Sequence, residues 1–306
     1  MAFSNGSYVI GVDLGGSNVR ASLFDTAGRA VADLAEPTVA ASAAAVVAQV
    51  GDLGRRLARR SGVEWQAIDG VGVGVPGVVA DGRLRMAPNL PPFEDVEVEV
   101  AFAGELDAEV IVDNDVNMAT LGEHCRGLGD GLGDFVFLAI GTGVGMGMVA
   151  GGRLLRGAHG AAGEIGTVPL AASASAGLPL TLEDLTGGAG VARRYAKVAQ
   201  RHEPLTAAEV HAAAGAGDPA AREVVDAQVR TVALAAVAIQ RVLDPALVVL
   251  GGGIGSRPDF ALRVREEAEE IAAEPVRVEP SALGEAAGVI GAAHAARLHL
   301  KEHVDV

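Results

Sequence analysis

Short apolar runs that stop at glycine or at a small polar residue set the rhythm of the first half of this chain. Tyr8–Asp13 (YVIGVD) reads as a strand ending in glycines, and Val19–Asp25 alternates as a second strand. Ala27-Gly28 makes a turn, and VADLAEP returns as a third strand. Ala41–Arg60 has helical periodicity, with Arg55, Arg56, Arg59 and Arg60 on a solvated outer face. Val71–Val75 is an apolar strand running into Pro76-Gly77, and Asp81-Gly82 is a hairpin signal. Val110–Val112 predicts a strand ending at Asp113-Asn114-Asp115. The helix after it covers Met118–Arg126 and stops at Gly127 and Gly129.

The pattern then begins again. Phe135–Gly143 (FVFLAIGTG) is a strand ending in glycine and threonine, and MGMVAGGRLL continues it as a hairpin. Strand, small polar turn and returning strand thus occur twice, at Val9–Leu23 and at Phe135–Leu155. The C-terminal half is helical. Asp218-Pro219 is a strong start, an N-cap followed by proline at the first helical position, for a helix reaching about Leu243. Ala246–Leu250 is a buried strand entering Gly251-Gly252-Gly253, and Phe260–Ala273 and Gly284–Leu300 read as helices. The chain is α/β throughout, and its 306 residues suffice for two domains or two lobes.

Composition narrows the classes. Half the residues are hydrophobic and 21% are charged, so a sizeable core forms and wholesale disorder is excluded. The net charge of −15 and the lack of a basic stripe argue against nucleic acid as a partner. A single cysteine, Cys125, excludes an intramolecular disulfide and a thiolate metal cluster within one chain. The N-terminus lacks a signal-peptide pattern and no long uninterrupted apolar segment occurs, so a cytoplasmic protein without a membrane partner is expected.

Five segments carry candidate chemistry. In Gly11–Arg20 (GVDLGGSNVR), glycines let backbone N–H groups approach phosphate oxygens, and Ser17 and Asn18 add side-chain donors. Asp13, at the strand end, is placed to hold Mg²⁺ through water; a tight hairpin with a capping aspartate is the competing reading. Ala139–Gly147 repeats the logic, and Val248–Ser256 sets three consecutive glycines after a buried strand, a place for adenosine. Ile111–Ala119 puts Asp113, Asn114 and Asp115 at a strand-to-helix junction. Phosphoryl transfer to an alcohol needs such a carboxylate as proton acceptor, and helix capping by Asn114 or Asp115 is the alternative. Gly160–Thr167 carries Glu164 among glycines, an acceptor for sugar hydroxyls or a solvated turn residue; Glu183 is a second candidate of that kind. Gly72, Gly74 and Gly77 match G-x-G-x-x-G literally. Pro76 interrupts where a dinucleotide site needs a helix, so that reading is rejected.

Taken together, DLGGSNVR, GVGVPGVV, APNL, DNDVNMATLGE, GTGVGMGMVAGG, GAAGEIG and LGGGI resemble the ROK family of repressors and sugar kinases, from Gly11 to about Gly291. The resemblance implies an actin-like ATPase (ribonuclease H-like) fold, two lobes with a cleft between them. Residues 1–115 with about 289–306 would form the small lobe, and 116–288 the large one. It implies Asp115 as general base and Asn89, Asn114, Asp115, Glu164 and Glu183 as sugar ligands. Asp13, Gly15, Gly16, Ser17, Asn18, Gly141, Thr142, Gly143, Gly251, Gly252 and Gly253 would bind ATP with Mg²⁺. A homodimer acting on a small-molecule sugar is expected.

The sequence departs from that family in one place. Thr167 stands where family kinases have a histidine, and the stretch VPLAASASAGLPLTLEDL lacks the zinc-binding cysteines, so no structural zinc is expected. Glucose is the first expectation for the acceptor, with mannose, fructose or N-acetylmannosamine as alternatives and polyphosphate as a possible donor. Regulators of the family carry a helix-turn-helix domain before the first glycine motif. Only 12 residues precede Asp13 in this sequence, which weakens the expectation of a DNA-binding regulator, and the presence of Asp115 and the nucleotide glycines makes a non-catalytic sugar-sensing or regulatory protein the weaker expectation.

Overall fold

The computed structural model describes residues 7–39, 41–87, 89–93, 96–172, 179–203 and 205–304. The chain divides into two compact units. The first comprises Met1–Arg126, Arg156–Ala162 and Ala286–Val306, and the second Gly127–Leu155 and Gly163–Glu285.

In the first unit, β1 (Tyr8–Leu14), β2 (Asn18–Phe24) and β3 (Ala30–Pro37) form an antiparallel meander. Helix α1 (Ala43–Arg60) follows. Its N-cap Ser42 accepts from the Ala45 N–H at 3.1 Å, and Val46, Val50, Leu53 and Leu57 recur at helical spacing on the buried face. Each of those side chains contributes roughly 1.5–3 kcal/mol by leaving water. Strand β4 (Ile68–Val75) adds parallel to β1. The hairpin of β5 (Val78–Ala80) and β6 (Arg83–Arg85) turns at Asp81 and Gly82, both in the left-handed region with φ of 51° and 71°. Helix α2 (Val98–Leu106), β7 (Glu109–Asn114) and α3 (Asp115–Arg126) complete this stretch, giving the sheet order β3-β2-β1-β4-β7.

The second unit repeats that order. Strands β8 (Phe135–Ile140), β9 (Val144–Ala150) and β10 (Arg153–Leu154) form the meander. A small hairpin, β11 (Pro169–Ala172) and β12 (Pro179–Thr181), leads into α4 (Leu182–Thr186), α5 (Gly188–Val198) and α6 (Ala207–Gly215). Residues 173–178, within the stretch that departs from the family pattern, lie outside the described residues. Helix α7 (Pro219–Leu243) starts where Asp218-Pro219 predicts: the Asp218 carboxylate accepts from the Ala220 and Ala221 N–H groups at 2.9 and 3.1 Å. Strand β13 (Val248–Gly251), the single turn α8 (Gly252–Gly255), α9 (Pro258–Ala272) and β14 (Val278–Pro280) close the sheet as β10-β9-β8-β13-β14.

The last helix, α10 (Ala287–Val304), belongs to the first unit. It lies backbone to backbone against the sheet and α3. A Cβ on Gly11 would sit 1.9 Å from the Val289 carbonyl, one on Gly72 1.9 Å from that of Ala292, and one on Gly122 2.2 Å from that of Ala287. Helix α3 thus belongs with α10 in the first unit, which comprises residues up to Arg126. Among the described residues, no helix is long and apolar enough to cross a membrane.

Candidate active site

In the first unit, the turn after β1 is tied on both sides. The Gly15 N–H donates to the Asn18 carbonyl at 2.9 Å, the Thr38 hydroxyl donates to the Gly15 carbonyl at 2.7 Å, and the Thr38 N–H donates to the Ser17 carbonyl. Gly16 has no room for a side chain: a Cβ would meet the Asn89 Cβ at 2.6 Å and the Asn89 carbonyl at 2.7 Å. The fold thus brings Asn89 against the glycine turn. Asp13 lies at the end of β1, and its carboxylate approaches the start of α10, where a Cβ on Gly288 would be 2.7 Å from Asp13 Oδ2.

The β7–α3 junction separates the roles of three adjacent polar residues. Asp113 is only 7% exposed. Its carboxylate accepts from the Asn114 N–H at 2.7 Å, from the Asn117 side chain at 2.9 Å and from Arg156 Nε at 2.7 Å. A buried carboxylate held by three donors, one of them the charged Arg156 guanidinium, is a fixed support rather than a mobile base. Asn114 caps α3: its Oδ1 accepts from the Val116 and Asn117 N–H groups at 2.9 and 3.0 Å, and its Nδ2 donates to the Gly77 carbonyl at 2.9 Å. One amide hydrogen of Asn114 is left for a ligand. Asp115 is the first residue of the helix and half-buried, and its Oδ1 accepts from the Val116 N–H at 2.8 Å. Its carboxylate lies at the positive end of the α3 peptide dipoles. Sequence reasoning missed Arg156, whose part depends on a contact 43 positions away in the chain. It also missed the role of Gly77 (φ 102°), whose carbonyl orients Asn114.

In the second unit, the turn Gly141–Gly143 closes with the Gly141 N–H donating to the Gly143 carbonyl at 3.0 Å. The N-terminal end of α5 seats on it, the Gly188 N–H donating to the Gly141 and Thr142 carbonyls. Glu183, on α4, accepts from the Val144 N–H at 2.9 Å, and its carboxylate would stand 2.7 Å from a Cβ on Gly143. Gly252 and Gly253 reach the same turn, lying 3.9 and 3.7 Å from where a Gly141 Cβ would be. The predicted glycine segments of this unit therefore converge. Gly252 takes φ 76°, and Gly251 has no space for a Cβ beside the Phe137 ring.

Glu164 is held by the glycines around it. Gly163 and Gly166 lie flat on β9, where Cβ atoms would be 1.8 Å from the Met146 carbonyl and 2.2 Å from that of Val144. The half-buried Glu164 carboxyl titrates above its ordinary value. Burial is the main cause and the negative charge of Glu183 the second. Thr167 is exposed, and its hydroxyl donates to the Glu164 carbonyl at 2.8 Å.

A family model described as ROK family matches residues 9–298. The chain is 32% identical to a glucokinase of Halalkalibacterium halodurans, with 93% of each chain covered. It is 30% identical to an N-acetyl-D-glucosamine kinase of Escherichia coli O6:H1, covering 95% of this chain and 99% of the relative. The crystal structure of a ROK hexokinase from Thermus thermophilus superposes with a TM-score of 0.81 at 30% identity, over 96% of this chain and 99% of that one.

Proposed function

The chain belongs to the ROK family and is a sugar kinase of the actin-like ATPase fold; we propose that ATP is its donor, a hexose its acceptor and Asp115 its general base. The observation that carries the reading is the β7–α3 junction. Asp113 and Asn114 are bound into the scaffold, and their hydrogen bonds fix the backbone from which the half-buried Asp115 projects. A base must be held where the acceptor hydroxyl will lie, because positioning supplies much of the rate in phosphoryl transfer.

Each unit has a turn suited to phosphate oxygens, at Gly15–Asn18 and at Gly141–Gly143, and Gly251–Gly253 would receive the adenosine. Asn89, Asn114 and Glu164 are assigned to the sugar hydroxyls. Glu183 is assigned there as well, although one of its carboxylate oxygens already serves the Val144 N–H. Among the described residues, no three His, Cys, Asp or Glu side chains converge. A divalent cation would thus be held by phosphate and water, with Asp13 as the protein carboxylate, and that donor set suits Mg²⁺. When bound, the ion neutralises charge on the phosphates. Asp115 takes the proton of the attacking hydroxyl, and no covalent enzyme intermediate is needed.

Glucose is the first choice of acceptor, from the similarity to a glucokinase over nearly the whole chain. An N-acetylhexosamine is the second, from the comparable similarity to an N-acetylglucosamine kinase. We place the protein in the cytoplasm as a homodimer; its charge of −15 makes nucleic acid and anionic membranes poor partners. The test is ADP release with Mg²⁺-ATP across hexoses and N-acetylhexosamines, with Asp115→Asn alongside. Turnover that needs one sugar and falls about 10²–10⁴-fold in the variant, with sugar binding retained, is expected. Near-normal turnover in Asp115→Asn would remove that residue from the role.

A further inference from the structure

The first unit contains a cavity of about 190 Å³ that no part of the kinase reading uses. It lies where the end of β2, the turn after it, the last turn of α3 and the middle of α10 meet, and Phe24, Gly28, Cys125, Arg126, His294 and Arg297 line it. This place is remote from Asp115. Helix α3 starts at Asp115 and ends at Arg126, a rise of roughly 16 Å at 1.5 Å per residue.

Two guanidinium groups converge there. Measured from the point a Gly28 Cβ would occupy, Arg126 Nη2 is 1.9 Å away and Arg297 Nη1 is 2.8 Å away. The absence of a side chain at Gly28, at φ 72°, is what admits both. Their hydrogen bonds run to neutral acceptors, Arg126 to the Ala27 carbonyl at 3.1 Å and Arg297 to the Asp25 carbonyl. The Asp25 carboxylate is itself paired with Arg29 at 2.8 Å. Two like charges at this range repel, and the carboxylate acting on Arg297, that of Asp25, is already shared with Arg29, so a further anion between the two guanidinium groups would be stabilised. The titration of the lining agrees in direction: Arg297 is lowered, first by burial and then by Arg126, against a weaker upward pull from Asp25 and Cys125, and His294 is lowered by burial and by the cations around it. In a chain of net charge −15, this is a concentrated positive spot.

We propose that this cavity binds a phosphate dianion, either inorganic phosphate or the phosphate end of a small phosphomonoester, in the fork between Arg126 and Arg297. The volume suits such a ligand, since a cavity of about 150 Å³ holds a benzene ring. Guanidinium groups are the side chains that best match phosphate oxygens. The site also touches both helices that reach the catalytic residues, α3 through Asp115 and α10 through Gly288 beside Asp13.

Cys125 lines the cavity and is the one cysteine of the chain, so it reports locally. The rate of its alkylation by iodoacetamide is measured on the full chain with inorganic phosphate, with glucose 6-phosphate, and with potassium chloride at matched ionic strength. Saturable protection by phosphate but not by chloride is expected. Equal protection by the two phosphates identifies the free anion as sufficient, and stronger protection by glucose 6-phosphate identifies a phosphomonoester. Replacing both arginines (Arg126→Gln with Arg297→Gln) should abolish protection. Arg126 is exposed, so Arg126→Gln alone keeps the fold and should weaken protection about 10-fold, the effect of one lost charge-assisted contact. Protection by chloride equal to that by phosphate, or undiminished protection in Arg126→Gln, overturns the site.

Discussion

The two five-stranded sheets share one strand order and each carries a small-residue turn after its first strand, but the acid beside the turn has a different origin in each. In the first unit, Asp13 belongs to the strand itself, one residue before its end at Leu14. The matching position of the second strand, one residue before Ile140, is Ala139. There the carboxylate is lent by Glu183 on α4, which hydrogen-bonds the Val144 N–H just past the turn. The supports differ in the same way. The first turn rests on Asn89 and Thr38, the second on the start of α5. A repeated strand–turn–strand element thus supplies the backbone loop in each unit, while the acidic group is added separately and is free to acquire a separate task.

The largest test of that difference compares the acids. Asp13→Asn should lower kcat/KM for Mg²⁺-ATP about 10²–10³-fold, the size of a lost electrostatic contact to the transferring group. Glu183→Gln should cost no more than about 10-fold, because a glutamine oxygen still accepts from Val144. Equal losses in steady-state assays would erase the distinction. The next effect concerns the turns. Gly16→Ala forces a Cβ into the Asn89 backbone and should cost about 1–3 kcal/mol in urea denaturation, with a raised KM for the sugar. Gly141→Ala meets its nearest atom at 3.7 Å and should stay within about 0.5 kcal/mol. The smallest effect is a pH dependence. Glu164 titrates higher in the folded chain than the ordinary 4.5, so its contribution to stability is present below that value and is lost as pH rises through the folded pKa. The stability of Glu164→Gln relative to wild type should therefore grow above about pH 4.5. A gap that stays constant from pH 4 to 8 would sink this assignment.

Much of the fold was legible because its signals are local. Asp218-Pro219 starts α7 through hydrogen bonds within three residues, and Asp81-Gly82 turns its hairpin through its own φ angles. Helix α2 was not legible. Its V-E-V-E-V alternation has the period of a strand, but Val98, Phe102 and Leu106 are buried at helical spacing while Val100 is 64% exposed. The glycines were only half legible. Those in the turns after β1 and β8 announce themselves by following apolar strands. Gly72 and Gly122 are required by α10, and nothing in their neighbourhoods in the sequence points to a helix so far away along the chain. The same holds for the site. Asp115 stood out as one of three polar residues, but the division of labour among them depends on Arg156 and Gly77, which only folding brings near.

The placement of α10 also bears on the order in which the protein is made. Residues 287–304 fill the seam formed by Gly11, Gly72 and Gly122, so the first unit lacks its closing helix until residues 127–286 have been made. All of the second unit has been synthesised by then. At 5–20 residues per second, the segments up to Arg126 wait on the order of ten seconds or more for α10. During synthesis the unit encoded later is thus the first able to finish, and the strands leading to the Gly15–Asn18 turn and to Asp115 remain a nascent surface, open to chaperones, until α10 arrives.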